Sequence, residues 1–261
     1  MPSLWQETSD MKLGSLTPKQ RLYLATEEKL RRLQRRYYYR LFPDKGDLRR
    51  ELYPKHIEFF DAGRDYMERC FMAANRIGKT LSGGFEGTAH LTGDYRHWWT
   101  GKVFEKPTDC WFAGKTNQTT RDIIQKKVFG NVIQDGKKKT VDGTGIMPGD
   151  LIEGLTWKPG IPDAIDTAKI KHVSGKYSLL GLKSYEQGRG SFEGTDKHFI
   201  WLDEECPMDV YNECLIRIMT TNGLVALTFT PLAGLTDVAQ SFLTHDIMNV
   251  LKEEMNNDTT N

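Results

Sequence analysis

The stretch Ala73-Ala74-Asn75-Arg76-Ile77-Gly78-Lys79-Thr80 decides the fold that we expect. It follows the pattern G-x-x-x-x-G-K-[ST] of phosphate-binding loops, except that Ala73 stands at the position of the first glycine. The pattern needs an apolar strand before it and a helix after it, and residues 69–72 can form that strand. A helix that opens at Gly78 would direct its free N–H groups and the positive end of its dipole at a bound phosphate.

The last three residues of this loop have separate expected roles. Gly78 lets the backbone approach a phosphate closely, and the Lys79 ammonium can reach the β- and γ-phosphate oxygens. The Thr80 hydroxyl can bind Mg²⁺. Because so short a pattern also occurs by chance, an ordinary helix start is the alternative at this point.

A second segment, His198-Phe199-Ile200-Trp201-Leu202-Asp203-Glu204-Glu205, is an apolar run that ends in carboxylates. A strand of this kind delivers acidic groups at its carboxyl end, as a Walker B segment does. Asp203 can hold Mg²⁺, usually through water, and Glu204 can polarise an attacking water. An apolar run that ends in acids is a weak indication alone, but in a chain that also carries the loop it predicts a nucleotide-hydrolysing site.

Composition excludes several classes of protein. Basic and acidic residues nearly cancel, at 36 and 35, so contact with nucleic acid would depend on local patches. The four cysteines lie far apart and form no C-x-x-C pair, which argues against a disulfide framework or a zinc site. The sequence has no apolar run of about 18 residues and no secretion signal, so we expect a soluble intracellular protein without membrane contact.

Apolar runs and turn residues predict further elements along the chain. They predict a strand at 109–114, a helix near 117–129, a flexible loop at 130–150, a hairpin of 169–174 with 178–184, a helix at 207–221 and a strand at 223–231. Strands that alternate with helices predict an α/β fold with a mainly parallel sheet sandwiched by helices. The separation of the loop strand from the acidic strand favours the additional-strand, RecA-like class of P-loop NTPases.

The ends of the chain are expected to lie outside this core. We divide the sequence into a basic helical extension at 1–50, a P-loop core at 51–235, and a helix with a frayed tail at 236–261. A helix predicted at 18–42 could contact DNA or a neighbouring subunit, although a solvated helix packed on the core is the simpler interpretation. Residues 52–60 carry aromatic side chains that either stack on an adenine ring or pack inward, and the local sequence does not decide.

Four segments, taken in order, resemble the ATPase domain of tailed-bacteriophage terminase large subunits, the motors that package DNA into procapsids. The resemblance covers about residues 53–236, and Gly188-Arg189-Gly190-Ser191-Phe192-Glu193-Gly194 running into the Walker B segment is its most specific part. The other segments are Tyr53-Pro54-Lys55-His56 with Phe59-Phe60, then Asn75 to Thr80, and Thr228-Phe229-Thr230-Pro231.

The resemblance implies a role for each site residue. It implies adenine contacts near Tyr53 and His56, phosphate contacts from the loop residues Ala74, Asn75, Arg76, Ile77, Gly78, Lys79 and Thr80, and Mg²⁺ at Thr80 and Asp203. It also implies that Glu204 is the catalytic carboxylate and that Thr228 and Thr230 contact the nucleotide and couple ATP to DNA. Arg189 is expected to act in trans as an arginine finger, with Arg76 as the rival catalytic cation.

Two departures from the family pattern affect these expectations. His56 stands where many members have glutamine, which weakens the adenine assignment. Members also carry a C-terminal nuclease domain, whereas few residues follow Pro231 in this sequence, so we expect the motor part alone, without nuclease activity.

The expected ligands are ATP and Mg²⁺, and the expected partners are double-stranded DNA, the portal protein of the procapsid, the small terminase subunit and further copies of this chain in a ring. The host cytoplasm is the expected location. One alternative is a superfamily-2-like helicase, which would need a second RecA-like domain. Another is a nucleotide-gated DNA-binding scaffold without turnover, but such a sensor would not need Glu204 as a catalytic carboxylate.

Overall fold

The computed structural model describes residues 17–136, 138–231, 234 and 236–243. Its main feature is a seven-stranded sheet with the strand order β1-β9-β8-β2-β7-β6-β5. The strands are β1 (Glu68–Met72), β2 (Asp109–Gly114), β5 (Ile152–Trp157), β6 (Ile165–Lys171), β7 (Tyr177–Ser184), β8 (Phe199–Asp203) and β9 (Leu224–Phe229). A separate two-stranded sheet joins β3 (Val132–Asp135) and β4 (Lys138–Val141).

Helices precede and follow the strands. They are α1 (Pro18–Arg35), α2 (Tyr37–Arg40), α3 (Pro54–Asp61), α4 (Lys79–Thr92), α5 (Asn117–Thr119), α6 (Lys126–Phe129), α7 (Met208–Ile218) and α8 (Asp237–Ser241), with a π-helical segment (Thr120–Gln125) between α5 and α6. None of the described helices is long and apolar enough to cross a membrane.

The sheet has a parallel part and an antiparallel part. Strands β1, β9, β8, β2 and β7 run parallel, whereas β6 and β5 are antiparallel to their neighbours. Strand β9 lies between the loop strand β1 and the acidic strand β8, which is the arrangement of the additional-strand class. The α/β fold with a mainly parallel sheet is therefore confirmed.

Apolar layers cover both faces of the parallel part. Phe199 and Trp201 belong to one buried cluster, which also contains Phe85 of α4, whereas Ile200 and Leu202 belong to the cluster that contains Tyr211 of α7. Successive side chains of a strand point to opposite faces, so a strand buried on both faces reads as a continuous apolar run. Gly83 allows α4 to approach the sheet, because a Cβ there would lie 2.1 Å from the Trp201 ring.

The structure corrects three expectations from the sequence. The predicted helix at 18–42 is interrupted at Arg36, which is extended (φ −69°, ψ 136°). Tyr38, Leu41 and Phe42 beyond the break are buried in the main core, so that core includes residues assigned to the N-terminal extension. Part of the predicted loop at 130–150 forms the β3–β4 hairpin, and β5 was not predicted.

The other predicted elements agree with the structure. The strand at 109–114 and the helical region at 117–129 are present, as are the hairpin of β6 with β7, the helix after the acidic strand and strand β9. The predicted C-terminal helix is described only as α8, and residues 244–261 lie outside the described residues.

Candidate functional site

Lys79 is the first residue of α4, and its ammonium joins the loop to the end of β9. Its Nζ donates to the carbonyl oxygens of Ala73 (2.8 Å) and Ala74 (2.7 Å) and to the hydroxyl of Thr230 (2.8 Å). Thr230 in turn donates to the Asn75 side-chain oxygen at 2.7 Å. The lysine is therefore held inside the loop by oxygen acceptors that phosphate oxygens could replace.

The loop backbone leaves the start of α4 open. Gly78 has φ +93°, in the left-handed region that favours glycine, and α4 has no side-chain cap. A Cβ on Gly78 would also lie 3.1 Å from His56 Nε2. Arg76 is likewise left-handed at φ +66°, and it is exposed. Uncapped N–H groups at the start of a helix suit an anion.

Thr80 and Asp203 lie next to each other although they are far apart in sequence. The Thr80 hydroxyl is 3.2 Å and 3.3 Å from the two Asp203 carboxylate oxygens. Thr228, on the neighbouring strand β9, donates to Asp203 Oδ1 at 2.7 Å. Burial raises the pKa of Asp203 to about 7, although the hydrogen bond from Thr228 acts in the opposite direction. A bound cation would favour the charged form of this carboxylate.

These donors fit Mg²⁺, the metal that the family implies. A hydroxyl and a carboxylate are hard oxygen ligands, and Mg²⁺ commonly takes only one or two protein ligands, with water and substrate phosphates completing the octahedron. Among the described residues no group of three or more His, Cys, Asp or Glu could hold a metal. A two-ligand site of this kind leaves room for phosphate oxygens.

Glu204 follows β8 in an unusual backbone conformation. Its φ is +66°, which is rare for a residue other than glycine, and its amide N–H donates to the Thr228 carbonyl at 2.9 Å. The residue is exposed, and its carboxylate makes no hydrogen bond or ion pair to another residue in the described part of the chain. The next residue differs, because the Glu205 carboxylate accepts a hydrogen bond from Thr236.

Arg189 is paired with an acidic residue of α7. It follows Gly188 in a short 3₁₀ turn, and its Nη2 is 3.0 Å from the carboxylate of Glu213 on α7. Glu213 is 2% exposed, whereas Arg189 is 54% exposed, and Arg217 makes a second ion pair with the same carboxylate at 3.0 Å. The structure thus leaves the Arg189 side chain at the surface, where it pairs with Glu213 and, at 3.7 Å, with Glu193.

Of the two predicted adenine contacts, His56 lines a cavity beside the loop and Tyr53 does not. A cavity of about 630 Å³ beside the loop is lined by residues that include His56, Phe59, Ala73 and Ile77. His56 Nε2 lies 3.0 Å from the Ile77 carbonyl, and burial lowers the pKa of His56, which favours the neutral ring as donor. Tyr53 is not among the lining residues and packs edge-on against Phe42 and His56.

Sequence reasoning missed the support behind Asp203. The Trp201 indole N–H donates to the Thr228 hydroxyl at 2.7 Å, so Thr228 is fixed between a donor and the carboxylate that it contacts. Thr228 is fully buried and lies opposite Asp203 in the pairing of β8 with β9. A tryptophan inside a buried strand needs a partner for its N–H, and that need was the available signal.

Comparisons with known sequences identify the family of the chain. A family described as terminase large subunit, T4likevirus-type, N-terminal matches residues 70–258. The terminase large subunit of Salmonella phage P22 is 37% identical over 210 residues, which are 73% of this chain and 41% of that protein. The chain therefore spans about two fifths of this curated relative.

Solved structures show weaker similarity. The ATPase domain of the Thermus phage P74-26 large terminase is 16% identical, with a TM-score of 0.45 over 78% of this chain and 79% of that one. A large terminase from a thermophilic bacteriophage, in complex with ADP, is 14% identical, with a TM-score of 0.42 over 67% and 37% of the two chains. On the family match and the P22 relative, the chain belongs to the phage terminase large subunits, as a member of the family that describes their N-terminal part.

Proposed function

We propose that this chain is the Mg-ATP-hydrolysing motor domain of a viral DNA-packaging terminase, which couples ATP hydrolysis to translocation of double-stranded DNA into a procapsid. The observation that carries the proposal is the meeting of Lys79, Thr80 and Asp203 at the carboxyl ends of parallel strands. Ligands bind at this edge in open α/β sheets. Membership of the terminase family supports the same assignment.

Catalysis by this site is positioning together with charge neutralisation. Lys79 exchanges its three internal acceptors for β- and γ-phosphate oxygens, and the free N–H groups from Ala74 to Thr80 surround the phosphates. Thr80 and Asp203 would hold Mg²⁺, and the ion would supply positive charge against the phosphates. Glu204 orients the water that attacks the γ-phosphate. Arg76 is exposed within the same loop and remains the rival catalytic cation.

Thr230 is the residue that we propose as the link between nucleotide and DNA. In the structure it bonds both Lys79 and Asn75. When Lys79 turns to a phosphate, Thr230 loses one of its two partners, so the end of β9 changes with the state of the nucleotide. Thr228, bonded to Asp203, transmits occupancy of the metal site along the same strand.

Arg189 completes the site from a neighbouring subunit in this proposal. Its surface position and the glycines beside it suit contact with the γ-phosphate of another copy in a homo-oligomeric ring. An arginine supplied in trans is worth about 10³–10⁵ in rate. The proposed partners are double-stranded DNA, the portal protein of the procapsid and the small terminase subunit, in the host cytoplasm.

Phosphate release from Mg-ATP, measured over a range of protein concentrations with and without double-stranded DNA, tests the proposal. We expect multiple turnover that increases with protein concentration and with DNA. Nucleotide binding without turnover under all these conditions would favour the nucleotide-gated scaffold, and unwinding of forked DNA would favour the helicase. The absence of nuclease activity stays a prediction, which metal-dependent nicking of a plasmid would contradict.

A further inference from the structure

The hydroxyl group of Tyr185 lies against the backbone on both sides of Glu204. It is 2.9 Å from the carbonyl oxygen of Asp203 and 3.2 Å from that of Glu204. It also lies 3.2 Å from the carbonyl of Ala113, at the end of β2. Tyr185 directly follows β7 and is 6% exposed, so this hydroxyl is a buried donor that reaches the ends of two other strands.

These contacts act on the backbone of the predicted catalytic residue. The carbonyls of Asp203 and Glu204 belong to the two peptide groups that flank the Glu204 Cα, and the amide between them donates to Thr228 at 2.9 Å. The Tyr185 hydroxyl has a single proton, and the Asp203 carbonyl at 2.9 Å is the nearest of its three acceptors. Tyr185, which follows β7, and Thr228 on β9 therefore hold the Asp203–Glu204 peptide from two sides. Glu204 has φ +66°, and a non-glycine residue keeps such a conformation only where its surroundings enforce it.

The Glu204 side chain has no such support of its own. In the described part of the chain its carboxylate accepts no hydrogen bond, so its direction depends on the backbone that carries it. A general base must lie within hydrogen-bond distance of the water that it activates. A change in either flanking peptide would swing the carboxylate away from that position.

We propose that Tyr185 is a positioning residue for hydrolysis: its hydroxyl holds the left-handed turn at Glu204, so that the carboxylate meets the attacking water. The inference deepens the proposed function and rests on the assignment of Glu204 there. It concerns the hydroxyl rather than the ring, because the ring packs in the apolar cluster on the α7 face of the sheet, as a phenylalanine would.

Tyr211 provides a matched control. It belongs to the same apolar cluster and is also buried, but its hydroxyl donates to the Glu68 carboxylate on β1 instead of to the Glu204 turn. Tyr211→Phe thus removes the same atom from the same core at a different place. A general effect of losing a buried hydroxyl should appear in both variants.

The experiment compares Tyr185→Phe, Tyr211→Phe and the unaltered 261-residue chain. We expect kcat for Mg-ATP to fall by about tenfold in Tyr185→Phe, which corresponds to about 1.4 kcal/mol in the barrier. KM and the melting temperature should change no more than in Tyr211→Phe. Binding of ADP with aluminium fluoride, which mimics the transferring phosphoryl group, should weaken in Tyr185→Phe alone, while ADP binding is unchanged.

Combination with Glu204→Gln separates positioning from other roles. If Tyr185 acts through Glu204, adding Tyr185→Phe to Glu204→Gln should lower the rate no further. Equal kcat values in the two tyrosine variants, or independent losses in the double variant, would overturn the inference. Full activity of Glu204→Gln would instead overturn the proposed function, so the two failures are distinguishable.

Discussion

The two parts of the seven-stranded sheet differ in burial and in what they carry. In the parallel part every residue of β8 and β9 is buried. Strand β6, in the antiparallel part, mixes buried and exposed residues, and in β7 buried residues alternate with exposed or half-buried ones. Strand β7 is the seam, because it pairs parallel with β2 and antiparallel with β6.

The two parts of the sheet therefore differ in how firmly they can hold the side chains of the candidate site. Asp203 is the last residue of β8 and Thr228 lies within β9, and both strands are packed on both faces. A close-packed interior can hold such groups within about 0.5 Å of a working geometry. The antiparallel part has an open face and carries none of the predicted nucleotide contacts. Tyr185 and Arg189 both follow the seam strand β7, and in the proposed ring Arg189 would act from there on the site of another copy.

The largest expected loss of activity comes from replacing Lys79 at the candidate site, in comparison with a lysine of the antiparallel part of the sheet. Lys79→Ala removes the cation that neutralises the β- and γ-phosphates, so we expect loss of ATP binding or hydrolysis. The control Lys169→Ala removes an exposed lysine of β6, whose ammonium lies over the Tyr177 ring, and should leave both unchanged. Equilibrium binding of a fluorescent ATP analogue and phosphate release measure the two effects. Near-normal turnover by Lys79→Ala would contradict the site.

A second test concerns Arg189, which follows the seam strand β7. Arg189→Ala should lower the rate of the assembled protein by about 10³-fold, with ATP affinity nearly intact, because an arginine finger acts on the transition state. Arg217→Ala removes the other partner of Glu213 and should leave the rate unchanged. Phosphate release at high protein concentration measures both variants.

Mixing distinguishes action in trans from action in cis. A mixture of the Arg189→Ala protein with the Glu204→Gln protein should recover part of the activity. Some interfaces in the mixture then contain one intact arginine and one intact glutamate. If the two variants co-assemble and the mixture stays inactive, Arg189 does not act in trans.

A smaller effect concerns stability within the parallel part. Asp203→Asn should weaken Mg²⁺-dependent nucleotide binding, yet raise the free energy of unfolding without ligands at pH 8 by on the order of 1–4 kcal/mol. Burial raises the pKa of Asp203 to about 7 from 3.8, so its charge destabilises the folded state above pH 7. This cost develops as pH rises from about 4 to 7, and the gain in Asp203→Asn should therefore be smaller at pH 5. Urea unfolding at both pH values measures it, and a variant less stable than the unaltered chain at pH 8 would refute the explanation.

Burial of a strand on both faces, or on one face only, also explains which strands the sequence predicts. Strands β8 and β9 are continuous apolar runs, and β2 has the bounds that its sequence predicts, because burial on both faces leaves a signal in each residue. Strand β5 has only half-buried and exposed positions and contains Gly154, so its composition does not separate it from a loop. The two strands of the β3–β4 hairpin contain no buried residue, and pairing alone defines them.

Other features depend on contacts between distant segments. The break at Arg36 lets Tyr38 stack on Phe85 and donate to the Asp94 carbonyl at 2.6 Å, and the helical periodicity of 18–42 contains no sign of either partner. The turn at Glu204 is similar, since its support comes from Tyr185, which follows β7, and from Thr228 on β9. Motifs therefore identified the residues of the candidate site but not what holds them.

The most direct test of the central claim is multiple-turnover phosphate release from Mg-ATP by the unaltered chain and by Glu204→Gln, with ATP binding measured on both. The glutamine keeps the shape of the side chain and loses the charge that orients water. The account predicts unchanged ATP affinity and a rate that falls by about 10²-fold or more. An equal rate in the two proteins would contradict it, because the Glu204 carboxylate would then have no part in the chemistry.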